Sequence, residues 1–275
     1  HRTSPTNLGL GLLATLSAHD LGLISLEDMT ERVDRALTSI EGLERHEGHL
    51  FNWYDTQNLT PLLPRYVSTV DSGNLAGALL ALAAGCRELD KQLQASRPEI
   101  ASRLADVAVR SVALADGMNF AFLYEPERQL FVIGYRLADA SGPGRTDTSY
   151  YDLLASESRL ASFFAIAKGD VPQSHWFHLG RLVVSVAGAP TLVSWSATMF
   201  EYLMPLLLMR TYPGTLLDQS CRMAIRKQIS YGRQRHVPWG ISESAYDLVD
   251  RLGNYQYKEF GVPGLGLKRG LADEL

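Results

Sequence analysis

Ser25-Leu26-Glu27-Asp28-Met29-Thr30-Glu31-Arg32-Val33-Asp34-Arg35-Ala36-Leu37-Thr38-Ser39-Ile40-Glu41-Gly42-Leu43 is the stretch that decides the fold class. Met29, Val33, Ala36, Leu37, Ile40 and Leu43 fall three or four apart, so one helical stripe is apolar and the other faces carry charge. Ser25 and Asp28 have the spacing of a capping box, with Asp in place of the usual Glu or Gln. The same logic recurs along the chain. Ala- and Leu-rich sequence over 75–89 predicts a helix that is apolar almost all round, hence deeply buried. Ser96, Pro98 and Glu99 supply an N-cap, a first-turn proline and a capping-box acid for a third helix. Further helices are expected over 153–167, 199–209 and 215–233, the last opened by Thr215 and Asp218 at capping-box spacing.

Two strand-like episodes interrupt the helices. Phe120-Ala121-Phe122-Leu123-Tyr124, a polar Glu125-Pro126-Glu127-Arg128 turn and Leu130-Phe131-Val132-Ile133-Gly134-Tyr135 read as a hairpin. Leu182-Val183-Val184-Ser185-Val186, a break at Gly188 and Pro190, and Leu192-Val193-Ser194-Trp195 read as a weaker second one. Paired helices of similar length with loops between them fit a mainly α toroid, in which successive α/α hairpins surround a central cavity. Fewer than six helix pairs are evident, so the toroid is expected to be incomplete in this chain. Neither a Pro/Ser-rich linker nor an exact repeat divides the sequence, and residues 1–275 are expected to form one domain.

Composition narrows the function. Hydrophobic content of 46% and charged content of 20% are ordinary for a globular protein. There are 26 basic and 30 acidic residues, a formal charge of −4, and no long basic run. That argues against a nucleic-acid-binding face. Cys86 and Cys221 lie far apart in apolar helical patterns and read as buried thiols of a reducing compartment. The apolar stretch from Leu8 to Leu16 contains Gly9 and Gly11 and is too short to span a bilayer. A start at His1 and an end at Ala272-Asp273-Glu274-Leu275 suggest a piece of a larger protein.

Two segments carry the chemistry: Tyr150-Tyr151-Asp152-Leu153-Leu154-Ala155-Ser156-Glu157 and Val237-Pro238-Trp239-Gly240-Ile241-Ser242-Glu243-Ser244. Each delivers one carboxylate from an aromatic, turn-forming setting. Two carboxylates beside aromatic rings are the minimum equipment for breaking or remaking a glycosidic bond, because rings stack on sugar faces while carboxyls move protons and attack carbon. Glu157 also has a plainer reading, as a helix-capping acid whose pKa the helix dipole would lower; burial against Tyr150 and Tyr151 would have to raise it. Glu243 has one too, as a solvated loop glutamate. The two lie 86 positions apart (243 − 157), so only the fold can bring them together.

All four tryptophans, Trp53, Trp176, Trp195 and Trp239, neighbour polar groups. They read as sugar platforms or as half-buried anchors for their loops. Tyr54 joins Trp53 and Trp239 as a loop aromatic for sugar faces, and Asp55, Asp71, Asp152 and Glu201 are further candidates for binding sugar hydroxyls, although Asp71 also suits the cap of a helix starting near Leu75. His19, His46, His49, His175, His178 and His236 show no HExxH or paired-cysteine spacing, so no metal is expected. There is no GxSxG nucleophile elbow. Gly261-Val262-Pro263-Gly264-Leu265-Gly266 has P-loop glycine spacing, but Leu267 stands where the lysine should follow, so it reads as a glycine-rich turn. No cofactor is expected.

Taken together, Thr3-Ser4-Pro5-Thr6-Asn7, Phe51-Asn52-Trp53-Tyr54-Asp55, Val70-Asp71-Ser72-Gly73-Asn74-Leu75, Tyr150 to Glu157, Met199-Phe200-Glu201-Tyr202-Leu203-Met204-Pro205 and Trp239 to Ser244 carry a resemblance. They resemble, in order and over essentially the whole chain, the glycoamylase-like region in the middle of bacterial cyclic β-1,2-glucan synthases. The resemblance implies an (α/α)6 barrel related to endo-β-1,2-glucanases. It implies that linear β-1,2-glucan is cut and closed on itself with retention at the anomeric carbon. By the same resemblance, Glu157 would be the acid/base and Glu243 the nucleophile. Trp53, Tyr54, Asp55, Asp71, Tyr150, Tyr151, Asp152, Trp195, Glu201 and Trp239 would hold the glucan. Neighbouring glucosyltransferase and phosphorylase-like parts of one polypeptide are implied as partners, with the region a soluble part at the cytoplasmic face of the inner membrane. The family's domain continues with further helices past the position of Gly261-Val262-Pro263-Gly264-Leu265-Gly266-Leu267-Lys268, so part of the barrel wall is expected to be missing here.

Overall fold

The computed structural model describes residues 2–140, 142–249, 255–258 and 260–267. Lys268 and residues 272–275, named above, lie outside the described residues. The chain divides into two compact units, His1–Tyr150 with Leu160–His175, and Tyr151–Arg159 with Trp176–Leu275.

The first unit is built on packed helices: α1 (Pro5–Asp20), α2 (Leu26–Glu41), α3 (Thr69–Leu93) and α4 (Pro98–Asp116). α1 packs on α2 and α3, and α4 packs on α2 and α3. The stripe read from the sequence of α2 is the buried one: Met29, Val33, Leu37 and Ile40 are sealed into a core with Leu75, Leu79, Leu82 and Leu104. Each such side chain contributes roughly 1.5–3 kcal/mol by leaving water. Ser25 caps α2 through the Asp28 N–H at 3.0 Å, as its spacing predicts.

Among α1 to α4, three details differ from the sequence expectation. α1 was not foreseen, because Gly9 and Gly11 break its apolar pattern. Gly9 belongs there for a packing reason: a Cβ on it would come within 2.9 Å of the Ala78 Cβ on α3. α3 begins six residues before position 75. Ser72-Gly73-Asn74 looks like a turn but is helix, and Gly73 leaves room for the Ala161 backbone, which a Cβ would meet at 2.6 Å. Consequently Ser68, not Asp71, is the N-cap of α3, its hydroxyl accepting from the Asp71 N–H at 3.3 Å. At α4 the N-cap is Arg97, without a side-chain bond, while the Ser96 hydroxyl turns back to the Leu93 carbonyl.

The first expected hairpin is shorter than predicted. Phe120–Leu123 is a 3-10 turn that buries Phe120 and Leu123 three residues apart, and only Tyr124–Glu125 pairs with Leu130–Val132. α5 (Arg159–Lys168) starts well after 153, because residues 153–158 form a turn. α6 (Ser174–His178) follows.

In the second unit, Val183–Val186 and Ala189–Leu192 form a hairpin that turns at Ala187 and Gly188, both with positive φ; its first arm is the expected one, but its second arm runs through Pro190 and ends at Leu192, where the expected arm only begins. α7 (Met199–Leu203) tightens into 3-10 at Met204–Leu207, at the position of Pro205, so the helix expected over 199–209 is cut short. α8 (Leu216–Arg235) is capped by the Thr215 hydroxyl, which accepts from the Asp218 N–H at 3.3 Å. Strands Ser244–Val249 and Tyr255–Lys258 pair antiparallel, which the sequence had not suggested. The glycine-rich turn packs as a turn: the Leu267 N–H donates to Ser194 O, the Ser194 N–H to Leu265 O and the Val262 N–H to Ala197 O. Cys86 and Cys221 are free, buried thiols. Among the described residues no helix is long and apolar enough to cross a membrane.

Candidate active site

The site is assembled on α7, a helix of five residues in the second unit. Its first turn is a true capping box: Thr198 Oγ1 accepts from the Glu201 N–H at 3.1 Å, and the Glu201 carboxylate accepts from the Thr198 N–H at 2.9 Å. That carboxylate gathers more than a cap. It also accepts from the Ser194 hydroxyl at 3.1 Å and from the N–H groups of Trp195 (3.0 Å) and Ser196 (3.1 Å). The loop 194–198 is therefore wrapped around one buried acid, and Ala197 is held at a positive φ of 62° to complete the wrap.

At its other end α7 is held by Arg159, a fully buried arginine two residues beyond Glu157. Nη1 donates to the carbonyls of Ser156 and Glu201, both at 2.7 Å, and Nη2 to that of Tyr202 at 2.6 Å. One guanidinium thus joins the turn carrying Glu157 to the helix carrying Glu201, a geometry that the planar fork of arginine permits and lysine does not. Burial pulls the Arg159 pKa down, while the carboxylates of Glu157 and Glu201 favour its charged form.

Glu157 lies in the turn before α5, not in its first helical turn. The expected lowering by a helix dipole is outweighed. Burial pushes its carboxyl up to about 8, helped by the charges of Glu201 and Glu243; its own backbone N–H and Arg159 oppose the rise. Burial raises Glu201 too, but its many donors hold it back. The Ser156 hydroxyl lies 3.4 Å from Glu157 Oε2. Burial therefore favours the protonated form of Glu157, while the donors around Glu201 favour its carboxylate.

Glu243 is half-buried in irregular chain ahead of the strand Ser244–Val249. Its segment is tied to α7 by two bonds: the Met199 N–H donates to Ile241 O at 3.1 Å and the Phe200 N–H to Ser242 Oγ at 3.0 Å. Those are free N–H groups of a first helical turn, used here to seat a loop. Gly240, at a φ of 99°, makes the bend before it. Two glutamates far apart in sequence thus reach one electrostatic neighbourhood.

The other sequence candidates separate by unit. In the second unit, burial raises the pKa of the Asp152 carboxyl, and the Trp195 side chain opposes the rise. Asp152 Oδ1 is buried and has no hydrogen-bond partner among the described residues. Trp239 is exposed and Tyr151 half-buried. In the first unit, Asp71 accepts from the Thr6 hydroxyl at 2.5 Å, and burial raises its pKa. In the amide orientation that satisfies both neighbours, Asn52 donates to Asp71 at 2.9 Å and accepts from Trp53 Nε1 at 3.1 Å. The Arg2 guanidinium lies 4.1 Å from the Trp53 ring centre. Asp55 accepts from the Gln57 N–H in a local turn, and Tyr150 has the Arg128 guanidinium 5.0 Å from its ring centre.

Tyr54 needs correction as a sugar platform. Its side chain is fully buried, donating to Glu44 O at 2.6 Å and accepting from the Phe51 N–H at 2.8 Å, so it anchors its loop. Glu201 likewise spends its carboxylate on protein donors. Sequence reasoning missed Arg159 and Gln228. Gln228 stands on the buried α8 stripe of Ser220, Ala224 and Gly232, and a lone amide on such a stripe is a readable sign of an internal task. No group of three or more His, Cys, Asp or Glu is placed to hold a metal ion among the described residues.

No protein-family model matches the chain. It is 36% identical over 98% of its length to cyclic β-(1,2)-glucan synthase NdvB of Rhizobium meliloti (strain 1021), and spans 13% of that protein. Among solved structures, an endo-β-1,2-glucanase variant from Talaromyces funiculosus in complex with β-1,2-glucan superposes with a TM-score of 0.76 at 14% identity, covering 97% of this chain and 60% of that one. The endo-β-1,2-glucanase from Chitinophaga pinensis, in complex with sophorotriose and glucose, gives 0.70 at 15% identity, covering 97% and 65%. These likenesses bear out the mainly α class with short hairpins. Over nearly its whole length the chain is thus similar to a part of a cyclic β-(1,2)-glucan synthase, and it shares the helical fold of the endo-β-1,2-glucanases.

Proposed function

We propose that the chain is a retaining transglycosylase domain, spanning residues 1–275, that cuts linear β-1,2-glucan and closes it into a ring. The observation that carries this reading is the Glu157 carboxyl, buried and raised to about 8 beside the charges of Glu201 and Glu243. A carboxyl still protonated at neutral pH is what a departing sugar oxygen needs. In the first step Glu157 gives its proton to the glycosidic oxygen while the Glu243 carboxylate attacks the anomeric carbon; the old C–O bond breaks and a glycosyl-enzyme ester forms. In the second, Glu157, now a carboxylate, takes the proton of an incoming sugar hydroxyl, whose oxygen displaces Glu243. When that hydroxyl belongs to the far end of the same glucan, the product is cyclic; when water arrives first, the product is linear.

Asp152, Trp195, Tyr151 and Trp239 in the second unit, and Trp53, Asp55, Asp71 and Tyr150 in the first, are the groups we assign to glucan binding. In the parent protein the domain would work beside glucosyltransferase and phosphorylase-like parts at the cytoplasmic face of the inner membrane. The endo-β-1,2-glucanase fold favours simple hydrolysis as the second reading. Incubation with linear β-1,2-glucan and mass analysis of the products separates the possibilities. Products lighter by one water than their linear counterparts support cyclisation, short linear products support hydrolysis, and binding without turnover reduces the domain to a glucan-holding module.

A further inference from the structure

We propose that Gln228 is the positioning residue for Glu243. This rests on the two-glutamate reading above. Gln228 lies in the middle of α8 with 1% of its surface exposed. Its amide makes three hydrogen bonds to one point of the chain: Nε2 donates to Ile241 O at 2.8 Å, while Oε1 accepts from the Ile241 N–H at 2.7 Å and the Gly240 N–H at 3.2 Å. A side chain that takes both backbone groups of Ile241 fixes that peptide as a neighbouring strand would, in a segment that has no strand there. Glu243 follows two residues later.

The same peptide is gripped from the other side. Ile241 O also accepts from the Met199 N–H, and Ser242 Oγ from the Phe200 N–H, so the loop is clamped between α8 and the first turn of α7. α8 approaches closely because Gly232, one turn on, carries no side chain; a Cβ there would lie 2.9 Å from Val237 O and 3.2 Å from the Trp239 Cα. Pure loop anchoring would need only one of these contacts. Their convergence on the two residues before Glu243 fixes where that carboxylate stands relative to Glu157.

The test is Gln228→Met, which keeps length and apolar bulk but makes none of the three bonds, with Ser242→Ala as a milder second variant. Two measurements are made on the folded protein: kcat and KM on linear β-1,2-glucan, and the titration midpoint of the Glu157 carboxyl by carbon-13 NMR. Gln228→Met should lower kcat roughly ten- to hundredfold with KM little changed, since small misplacement of a reacting group costs rate more than binding. It should also lower the Glu157 midpoint, because Glu243 no longer stands where its charge raises it. Ser242→Ala should move both in the same direction by less, and it carries the test if Gln228→Met does not fold. An unchanged midpoint and kcat in a folded variant overturns the proposal. Full activity in Glu243→Gln overturns the two-glutamate reading instead, and the NMR midpoint still decides whether Gln228 places Glu243.

Discussion

Arg159 and Glu201 are both buried and oppositely charged, yet the guanidinium bonds the Glu201 backbone carbonyl at 2.7 Å and not its carboxylate. The carboxylate instead faces the loop 194–198. This division matters for the chemistry. A direct ion pair would neutralise Glu201, and Glu157 would lose an anionic neighbour. With the two charges spent on different partners, Glu201 still raises Glu157 while Arg159 still holds the backbone together.

Replacing Arg159 should therefore act first on folding. Arg159→Met takes the guanidinium donor from three carbonyls and should cost about 3 kcal/mol, in the range for breaking a buried charged network. Arg159→Lys should recover only part of this, because one ammonium on a flexible stem cannot span Ser156, Glu201 and Tyr202 with the arginine fork's geometry. Urea denaturation of the three proteins checks the order. Equal stability of all three would show that the guanidinium is not what joins the Glu157 turn to α7.

Glu157 makes stability depend on pH with a definite sign. Its folded pKa, about 8, lies above the ordinary 4.5. Between those values the native state binds more protons than the unfolded chain, so this group's contribution to stability falls as pH rises from about 4.5 to about 8. Glu157→Gln removes that dependence. The variant should gain melting temperature over the wild type at pH 8 and gain little at pH 4.5. Parallel melting curves at the two pH values would mean that the Glu157 pKa is not raised on folding.

The segment 261–267 is hydrogen-bonded to the loop that surrounds Glu201, and Gly261 leaves no room for a side chain beside that loop. A Cβ on Gly261 would meet the Ala197 carbonyl carbon at 2.1 Å and Ser196 O at 2.2 Å, and backbone cannot yield as a side chain can. Gly261→Ala should unseat the donors of Glu201, lowering both melting temperature and activity. Gly264, with no atom closer than the Lys227 amine at 3.9 Å but a φ of 87°, should tolerate Asn much better than Val. Melting temperatures of the three variants test the contrast.

What could be read from the sequence follows what is local. The α2 stripe, the Ser25 and Thr215 caps and the first arm of the second hairpin depend on neighbours within a few residues, and periodicity shows them. α1 and the start of α3 could not be read, because Gly9 and Gly73 look like breakers until the facing Ala78 and Ala161 are known. At the site, Glu157 and Glu243 stood out through their aromatic surroundings, but no spacing rule joins positions so far apart. Glu201 was legible as an acid near aromatics and illegible as a loop organiser, since its partners are backbone N–H groups that every sequence has. Tyr54 misled for the same reason: its burial is set by contacts with Glu44 and Phe51, invisible in the composition of its loop.

Tyr54 and Trp239 should accordingly respond to mutation in opposite ways. Tyr54→Phe removes two buried hydrogen bonds and should cost roughly 1–3 kcal/mol of stability with glucan affinity unchanged. Trp239 is 53% exposed, and Trp239→Ala should leave the melting temperature nearly intact. It should weaken glucan binding by roughly 1–3 kcal/mol if its ring is a stacking platform. Calorimetry with β-1,2-glucan, set beside melting curves, separates the two. A Trp239 variant that loses stability and keeps its affinity would make that ring an anchor of the loop 237–239.

The sharpest prediction concerns Glu157 and Glu243 together. Glu243→Gln should abolish product formation while leaving folding and glucan binding nearly intact, because the amide keeps the shape and cannot attack the anomeric carbon as a carboxylate does. Glu157→Gln should also fail on natural glucan, since its amide cannot protonate the departing sugar oxygen. A donor with a good leaving group needs little acid help, so it should restore glycosyl-enzyme formation in the Glu157 variant and not in the Glu243 variant. Mass spectrometry of the trapped protein reads this directly, as a covalent sugar on Glu157→Gln only. A covalent sugar on Glu243→Gln instead would exchange the two roles. Near-normal turnover in both variants would remove these glutamates from the mechanism and leave their shared charge as a feature of folding alone.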